Sequence, residues 1–275
     1  MNNKKKLSKY EIFRRIMLSV CICACVLLVI QLGYIIGGYI KARKVSSDVL
    51  GGVVDLSKPP VESGNKTPVV FDPNVERPEH VESKYFAEWL KYIKATKAKY
   101  PDFIGYIEIE NLDILYPIVH TDNNSYYLDH LIDGTKNKNG EIFLDSRNVG
   151  YPLTNNKNIV LYGHNLADGT KFHNLTKLRK AENFYNSPIN VITEEGIFTF
   201  TIFSFYKTDE KTNYTKLEFA AEKNFGIFCT NEQKKSMHES NFEFTGKEVI
   251  LTLSTCVNDF GGRWCTHAVL TGITK

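Results

Sequence analysis

Twenty-five consecutive residues, Ile16–Ile40, carry no charge, and that run constrains the chain more than any other feature. At about 1.5 Å per residue, a helix of this length exceeds the roughly 30 Å hydrocarbon core of a bilayer. A cleavable signal peptide would have an apolar region of roughly 7–15 residues and a small-residue cleavage site. Ala24-Cys25 would suit lipoprotein processing, but it lies in mid-run with fifteen uncharged residues after it. The run therefore reads as an uncleaved transmembrane helix over 16–40. Six basic residues precede it (Lys4, Lys5, Lys6, Lys9, Arg14, Arg15) and three follow closely (Lys41, Arg43, Lys44). This asymmetry predicts a cytoplasmic basic segment at 1–15 and an extracellular remainder. Gly33 and Gly37 form a lone GxxxG, too little to imply a dimer, and a monomer is expected.

Beyond residue 44 the charge reverses, with 25 basic against 30 acidic residues, the basic ones scattered. Such a surface lacks the electrostatic footprint of a nucleic-acid binder. Five of the nine prolines fall between Pro59 and Pro78, so residues 41–82 read as an extracellular stalk with too little apolar content to fold alone. A folded domain is expected over 83–275.

In that domain Phe86, Trp89, Leu90, Ile93 and Tyr100 recur at helical spacing, which predicts a helix over Ser83–Lys99 with Ser83 as its N-cap and Pro101 ending it. Eight short segments rich in β-branched and aromatic residues follow: Phe103–Ile114, Tyr116–Thr121, Glu141–Arg147, Asn158–Tyr162, Asn190–Thr193, Phe198–Lys207, Glu248–Thr255 and Arg263–Thr271. Asn139-Gly140 reads as a hairpin turn. Two segments read as helical, Lys171–Tyr185 and Leu217–Ser240, the second with a break near Gly226. Helices that do not alternate regularly with strands favour a mainly β fold, a closed or nearly closed barrel.

Cys21, Cys23 and Cys25 lie in the apolar run; only Cys229, Cys256 and Cys265 lie outside it. Three are too few for a disulfide framework, and no CxxC zinc spacing occurs. Cys256 ends the segment Glu248-Val-Ile-Leu-Thr-Leu-Ser-Thr-Cys256, where alternation sets Val249, Leu251 and Leu253 on one face and Ile250, Thr252 and Ser254 on the other. A turn over Val257–Gly262 would bring Arg263 beside Cys256, and a neighbouring guanidinium favours the nucleophilic thiolate. His164 closes the apolar strand Asn158-Ile-Val-Leu-Tyr-Gly-His164, where Gly163 permits a close turn at the strand end. A base for a cysteine nucleophile must come within hydrogen-bond reach of the sulfur, and strand-end placement of both groups is compatible with that.

Leu-Ser-Thr-Cys256 followed by Arg263, with Tyr-Gly-His164-Asn, resembles the sortases of Gram-positive bacteria. The resemblance is to class B in particular, through the leading helix, Asp102-Phe-Ile-Gly-Tyr-Ile-Glu-Ile, Tyr116-Pro-Ile-Val-His, Asp122-Asn-Asn-Ser-Tyr-Tyr-Leu128, Gly140-Glu-Ile-Phe-Leu-Asp-Ser-Arg147 and the helical insert before the cysteine strand. It covers residues 83 to about 272. It implies an eight-stranded sortase-type β-barrel with an N-terminal helix, a helical insert and a preceding transmembrane helix. It further implies a cysteine transpeptidase that cleaves a C-terminal sorting signal of the NPQTN or a related type after threonine. Cys256 would form a thioester, His164 would move the protons, and Arg263 would stabilise the oxyanion. The acceptor would be a cell-wall peptidoglycan amine. By the family pattern Asn124, Leu128, Ser254, Tyr214 and Thr215 would line the substrate groove. Val257 stands where relatives often carry an acid. Nothing matches the acidic calcium site of class A, so neither metal nor cofactor is expected. The contiguous His-Gly-Cys-x-Arg cluster of L,D-transpeptidases does not occur.

Overall fold

The computed structural model describes residues 8–51, 84–256 and 261–275. Most of the predicted stalk, the predicted N-cap Ser83 and most of the Val257–Gly262 turn lie outside them. The chain divides into two compact units at Arg43/Lys44. Helix α1 (Lys9–Leu50) is long and apolar enough to cross a membrane, and its apolar side chains between Ile16 and Ile40 are largely exposed. It runs ten residues past the uncharged stretch, because Lys41–Leu50 contains neither proline nor glycine to stop it.

In the second unit α2 (Lys84–Lys99) leads into strands β1 (Phe103–Ile109), β2 (Ile114–Val119), β3 (Ile142–Leu144), β4 (Asn158–Tyr162), β5 (Ile189–Thr193) and β6 (Gly196–Asp209). Helix α3 (Ala181–Asn186) precedes β5, and α4 (Glu222–Lys234) separates β6 from β7 (Ile250–Cys256) and β8 (Gly262–Thr274). The strands close into a barrel in the order β1-β2-β3-β4-β7-β8-β6-β5. Closure removes the sheet edges that would otherwise be open to pairing with other chains. The β2–β3 and β4–β7 pairs are parallel and the others antiparallel.

The barrel interior is filled by alternate residues of the strands, among them Ile107, Leu144, Leu161, Phe200, Leu251 and Leu253. Trp89 and Ile93 of α2 are fully buried against Phe103 and Tyr106; each such side chain is worth about 1.5–3 kcal/mol of burial. On the other side, Phe225 and Cys229 of α4 pack on Phe203, Ile250 and Val269.

All eight strands form, with four local departures from the expected pattern. The first segment ends at Ile109, and a 3-10 turn over Glu110–Leu112 with left-handed Asp113 (φ 53°) reverses the chain. Aspartate tolerates that conformation, so the chain reverses at 110–113 and Ile114 opens β2 instead of ending the first strand. Asn139-Gly140 is a turn but not a hairpin, since the strands on either side of it, β2 and β3, are parallel. The Lys171–Tyr185 helix is instead a 3-10 helix over Phe172–Arg179 followed by α3, because the buried Phe172, Leu175 and Leu178 recur every third residue, the 3-10 period. Finally, α4 spans only Glu222–Lys234 and runs unbroken through Gly226. A Cβ at Gly226 would lie 3.0 Å from the Phe244 carbonyl oxygen, so the glycine serves close packing and breaks nothing.

Candidate active site

Three neighbouring strands, β4, β7 and β8, bring the predicted chemistry together. Parallel pairing sets Tyr162 of β4 opposite Ser254 of β7. The Gly163 N–H donates to the Ser254 carbonyl at 3.2 Å, carrying the ladder past the end of β4. One further residue on that register sets His164 level with Cys256. On the other side of β7, antiparallel pairing sets Arg263 directly across from Cys256. Backbone register thus sets the chain positions of His164, Cys256 and Arg263 at one end of three adjacent strands.

His164 is half-buried and well anchored. Its Nε2 lies 2.8 Å from the Leu128 carbonyl; a carbonyl only accepts, so Nε2 carries the proton and donates, leaving Nδ1 as the basic nitrogen of the neutral ring. The His164 carbonyl accepts from the Phe172 N–H at 2.9 Å. Burial pushes the imidazole below its usual pKa; the Leu128 hydrogen bond opposes this and the charge of Lys171 reinforces it. Lys171 is itself buried, ion-paired with Glu141 and placed 5.1 Å from the centre of the Tyr116 ring. The role expected of Gly163 changes: a Cβ there would lie 2.6 Å from the Phe172 ring, so packing against that ring, rather than a turn, requires glycine.

The Arg263 guanidinium has two anchors among the described residues. Nη1 donates to the Gly262 carbonyl at 3.0 Å and Nη2 to Glu210 Oε2 at 2.9 Å. Sequence reasoning missed Glu210, which no motif marks.

The predicted groove residues divide into two groups. Leu128 is exposed and helps line an open cavity of about 600 Å³ together with Asn123, Ser125, Tyr126, Asp129 and His130. Asn124 lies in the same segment and accepts from the Ser146 N–H through its side chain at 2.7 Å, tying the segment to the end of β3. Ser254 and Tyr214 are both buried, with their hydroxyls 2.8 Å apart; they hold the turn after β6 onto β7. Thr215, next along, lies near the Tyr162 phenol. Tyr162 in turn donates to Asp145 at 2.8 Å. Burial would raise the Asp145 carboxyl, but the paired hydrogen bonds from Arg147, with those of Tyr162 and Asn124, outweigh it and hold the group at about 2.

A family model, the sortase domain, matches residues 107–271. Sortase B of Listeria monocytogenes is 34% identical over 157 residues, covering 56% of this chain and 63% of that protein, so the match spans less than two thirds of the relative's length. Among solved structures, sortase B of B. anthracis in complex with AAEK1 aligns with a TM-score of 0.65 at 27% identity, over 86% of this chain and 99% of that one. A substrate complex of Staphylococcus aureus sortase B aligns with a TM-score of 0.61 at 28% identity, over 70% and 86%. The chain belongs to the sortase family, on its class B branch.

Proposed function

We propose that this protein is a cysteine transpeptidase that cleaves a C-terminal sorting signal, of the NPQTN or a related type, after threonine. The observation that supports the reading is the β4–β7–β8 register: Arg263 pairs across from Cys256, and the Gly163 N–H bonded to the Ser254 carbonyl leads the chain to His164 at the same end. That the Staphylococcus aureus relative is solved with a substrate supports it.

In this reading the Cys256 sulfur attacks the threonine carbonyl carbon while His164 takes the thiol proton. The downward shift of His164 favours the neutral imidazole that can accept it. The carbonyl oxygen becomes an oxyanion and accepts from the Arg263 guanidinium, a kind of interaction worth about 3–4 kcal/mol. His164 then protonates the leaving amine as the C–N bond breaks, and the acyl group remains on sulfur as a thioester. A peptidoglycan amine, deprotonated by the same imidazole, attacks the thioester and frees the thiolate. Asn124, Leu128, Ser254, Tyr214 and Thr215 shape the groove that holds the signal. The anchor over 16–40, with 1–15 in the cytoplasm, a stalk over 41–82 and the catalytic domain over 83–275 outside, places the monomeric enzyme where secreted proteins and cell-wall precursors meet.

Two experiments test this. The full-length protein incubated with a sorting pentapeptide should yield an acyl adduct mapped by mass spectrometry to Cys256, released faster when an amine is added; no adduct would defeat the mechanism. Protease added to intact protoplasts should digest the domain over 83–275, and its protection would reverse the topology.

A further inference from the structure

We infer that Glu210 is a positioning residue, which holds the Arg263 guanidinium in the orientation that meets the oxyanion. The inference deepens the transpeptidase reading and rests on it. β6 and β8 pair with Thr208 opposite Arg263 and Asp209 opposite Gly262. The Glu210 N–H continues that ladder to the Gly261 carbonyl at 3.2 Å, so its backbone is fixed by the sheet. The turn beyond is tied down as well: the Lys211 N–H donates to Asp209 Oδ1 at 2.8 Å, and the Thr212 N–H to the Asp209 carbonyl at 3.1 Å. From this firm base the Glu210 carboxylate takes Nη2 of Arg263, while the Gly262 carbonyl takes Nη1.

Two anchors on the two terminal nitrogens fix the plane of a group that otherwise swings on a long stem. A guanidinium has five N–H donors, so donors remain for a substrate oxygen after both anchors are made. The geometric demand is strict, since an oxyanion donor must lie about 2.7–3.1 Å from the developing charge. Stability does not explain the pair. Its side chains are 26% and 51% exposed, and ion pairs this open contribute little to folding. What the contact supplies is orientation at the residue facing Cys256.

The test is steady-state cleavage of a fluorogenic sorting pentapeptide by the full-length protein in detergent micelles. Glu210→Ala should lower kcat about tenfold, leave KM within about twofold and leave Tm unchanged. Glu210→Gln keeps an acceptor oxygen and should recover most of the loss. In an Arg263→Lys background, where there is no guanidinium to hold, Glu210→Ala should change kcat less than about twofold. Wild-type kcat in Glu210→Ala overturns the inference, and so does an equal tenfold loss in the lysine background. A faster Glu210→Ala enzyme also overturns it and makes the carboxylate a brake. Inactivity of the wild-type protein overturns the transpeptidase reading together with this one, whereas an active wild type matched by Glu210→Ala overturns this inference alone.

Discussion

β7 and β8 present successive cross-strand pairs, and two of them invite comparison. Cys256 faces Arg263 at the strand ends, and two residues inward Ser254 faces Cys265, followed by Thr252 facing His267. Cys265 has what a search for a reactive cysteine would look for, a histidine nitrogen 3.2 Å from its sulfur and a carboxylate, Glu232, 3.5 Å beyond on the same ring nitrogen. Yet Cys265 and His267 are fully enclosed, by α4 on one side and Tyr206 and Tyr214 on the other. Burial pushes the Cys265 thiol well up and the His267 imidazole down, which disfavours the thiolate a nucleophile needs, and no substrate reaches them. The inner group is a strut between the helical insert and the barrel. Proximity of sulfur and imidazole therefore does not define a nucleophile; access and a nearby cation do.

The largest effect that would break this contrast is loss of the wrong sulfur. Cys256→Ala should bring kcat/KM for a sorting peptide below detection with an unchanged fold. Cys265→Ala should keep activity within about threefold while lowering stability by about 1–2 kcal/mol through the small cavity it leaves. Peptide cleavage and chemical denaturation of the two variants decide the matter, and an essential Cys265 would invert the assignment. Next in size, Arg263→Lys should lower kcat by about 10²–10³ with KM nearly unchanged, the loss typical of one oxyanion donor. If lysine substitutes well and only the pH–rate profile moves, Arg263 serves to tune the thiol instead.

The sequence made the rim far more legible than the strut. Alternation in Val249–Leu253 and the apolar run Asn158–Tyr162 mark strands by local pattern alone, and β4 falls where the pattern put it. Cys256 and Arg263 stand at the paired ends of β7 and β8 and His164 two residues past β4, where a motif and the backbone register suffice to line them up. Glu210 and Glu232 carry no such signal. The first meets Arg263 across 53 positions and the second meets Tyr206 across 26, and both contacts depend on how β6 pairs and where α4 settles. Helical boundaries depart from the local pattern where packing overrides propensity, at the three-residue rhythm of Phe172, Leu175 and Leu178 and at Gly226 against the Phe244 carbonyl.

The strut should also show itself where the rim is silent. Glu232 Oε1 and Oε2 accept from Lys235 Nζ at 2.8 and 2.9 Å, and the Tyr206 hydroxyl donates to Oε2. Glu232→Ala leaves these donors without their partner and should cost about 3 kcal/mol of stability at neutral pH, with catalysis per folded molecule intact.

The smallest effect is the most specific. Burial alone would raise the Glu232 carboxyl, but donors from His267, Lys235 and Tyr206 outweigh it and hold the group at about 2. A carboxylate whose folded pKa lies below its unfolded value contributes stability that is complete above about pH 4.5. That stability is lost as pH falls from there toward 2. Asp145, also held at about 2, loses its share over nearly the same interval, so two carboxylates should bind protons on unfolding. Glu232→Gln removes one of them. Denaturation free energies at half-unit steps from pH 5.5 to 2.5 should then show a wild-type slope near pH 3 of about 2 × 2.303RT from these two groups, and the variant slope lower by about one such unit. The gap between the two curves should narrow steadily as pH falls, because the wild-type protein is losing what the variant already lacks. Parallel curves would mean that the Glu232 carboxyl titrates alike in the folded and unfolded chain, so that its buried donors do not favour the ionised form.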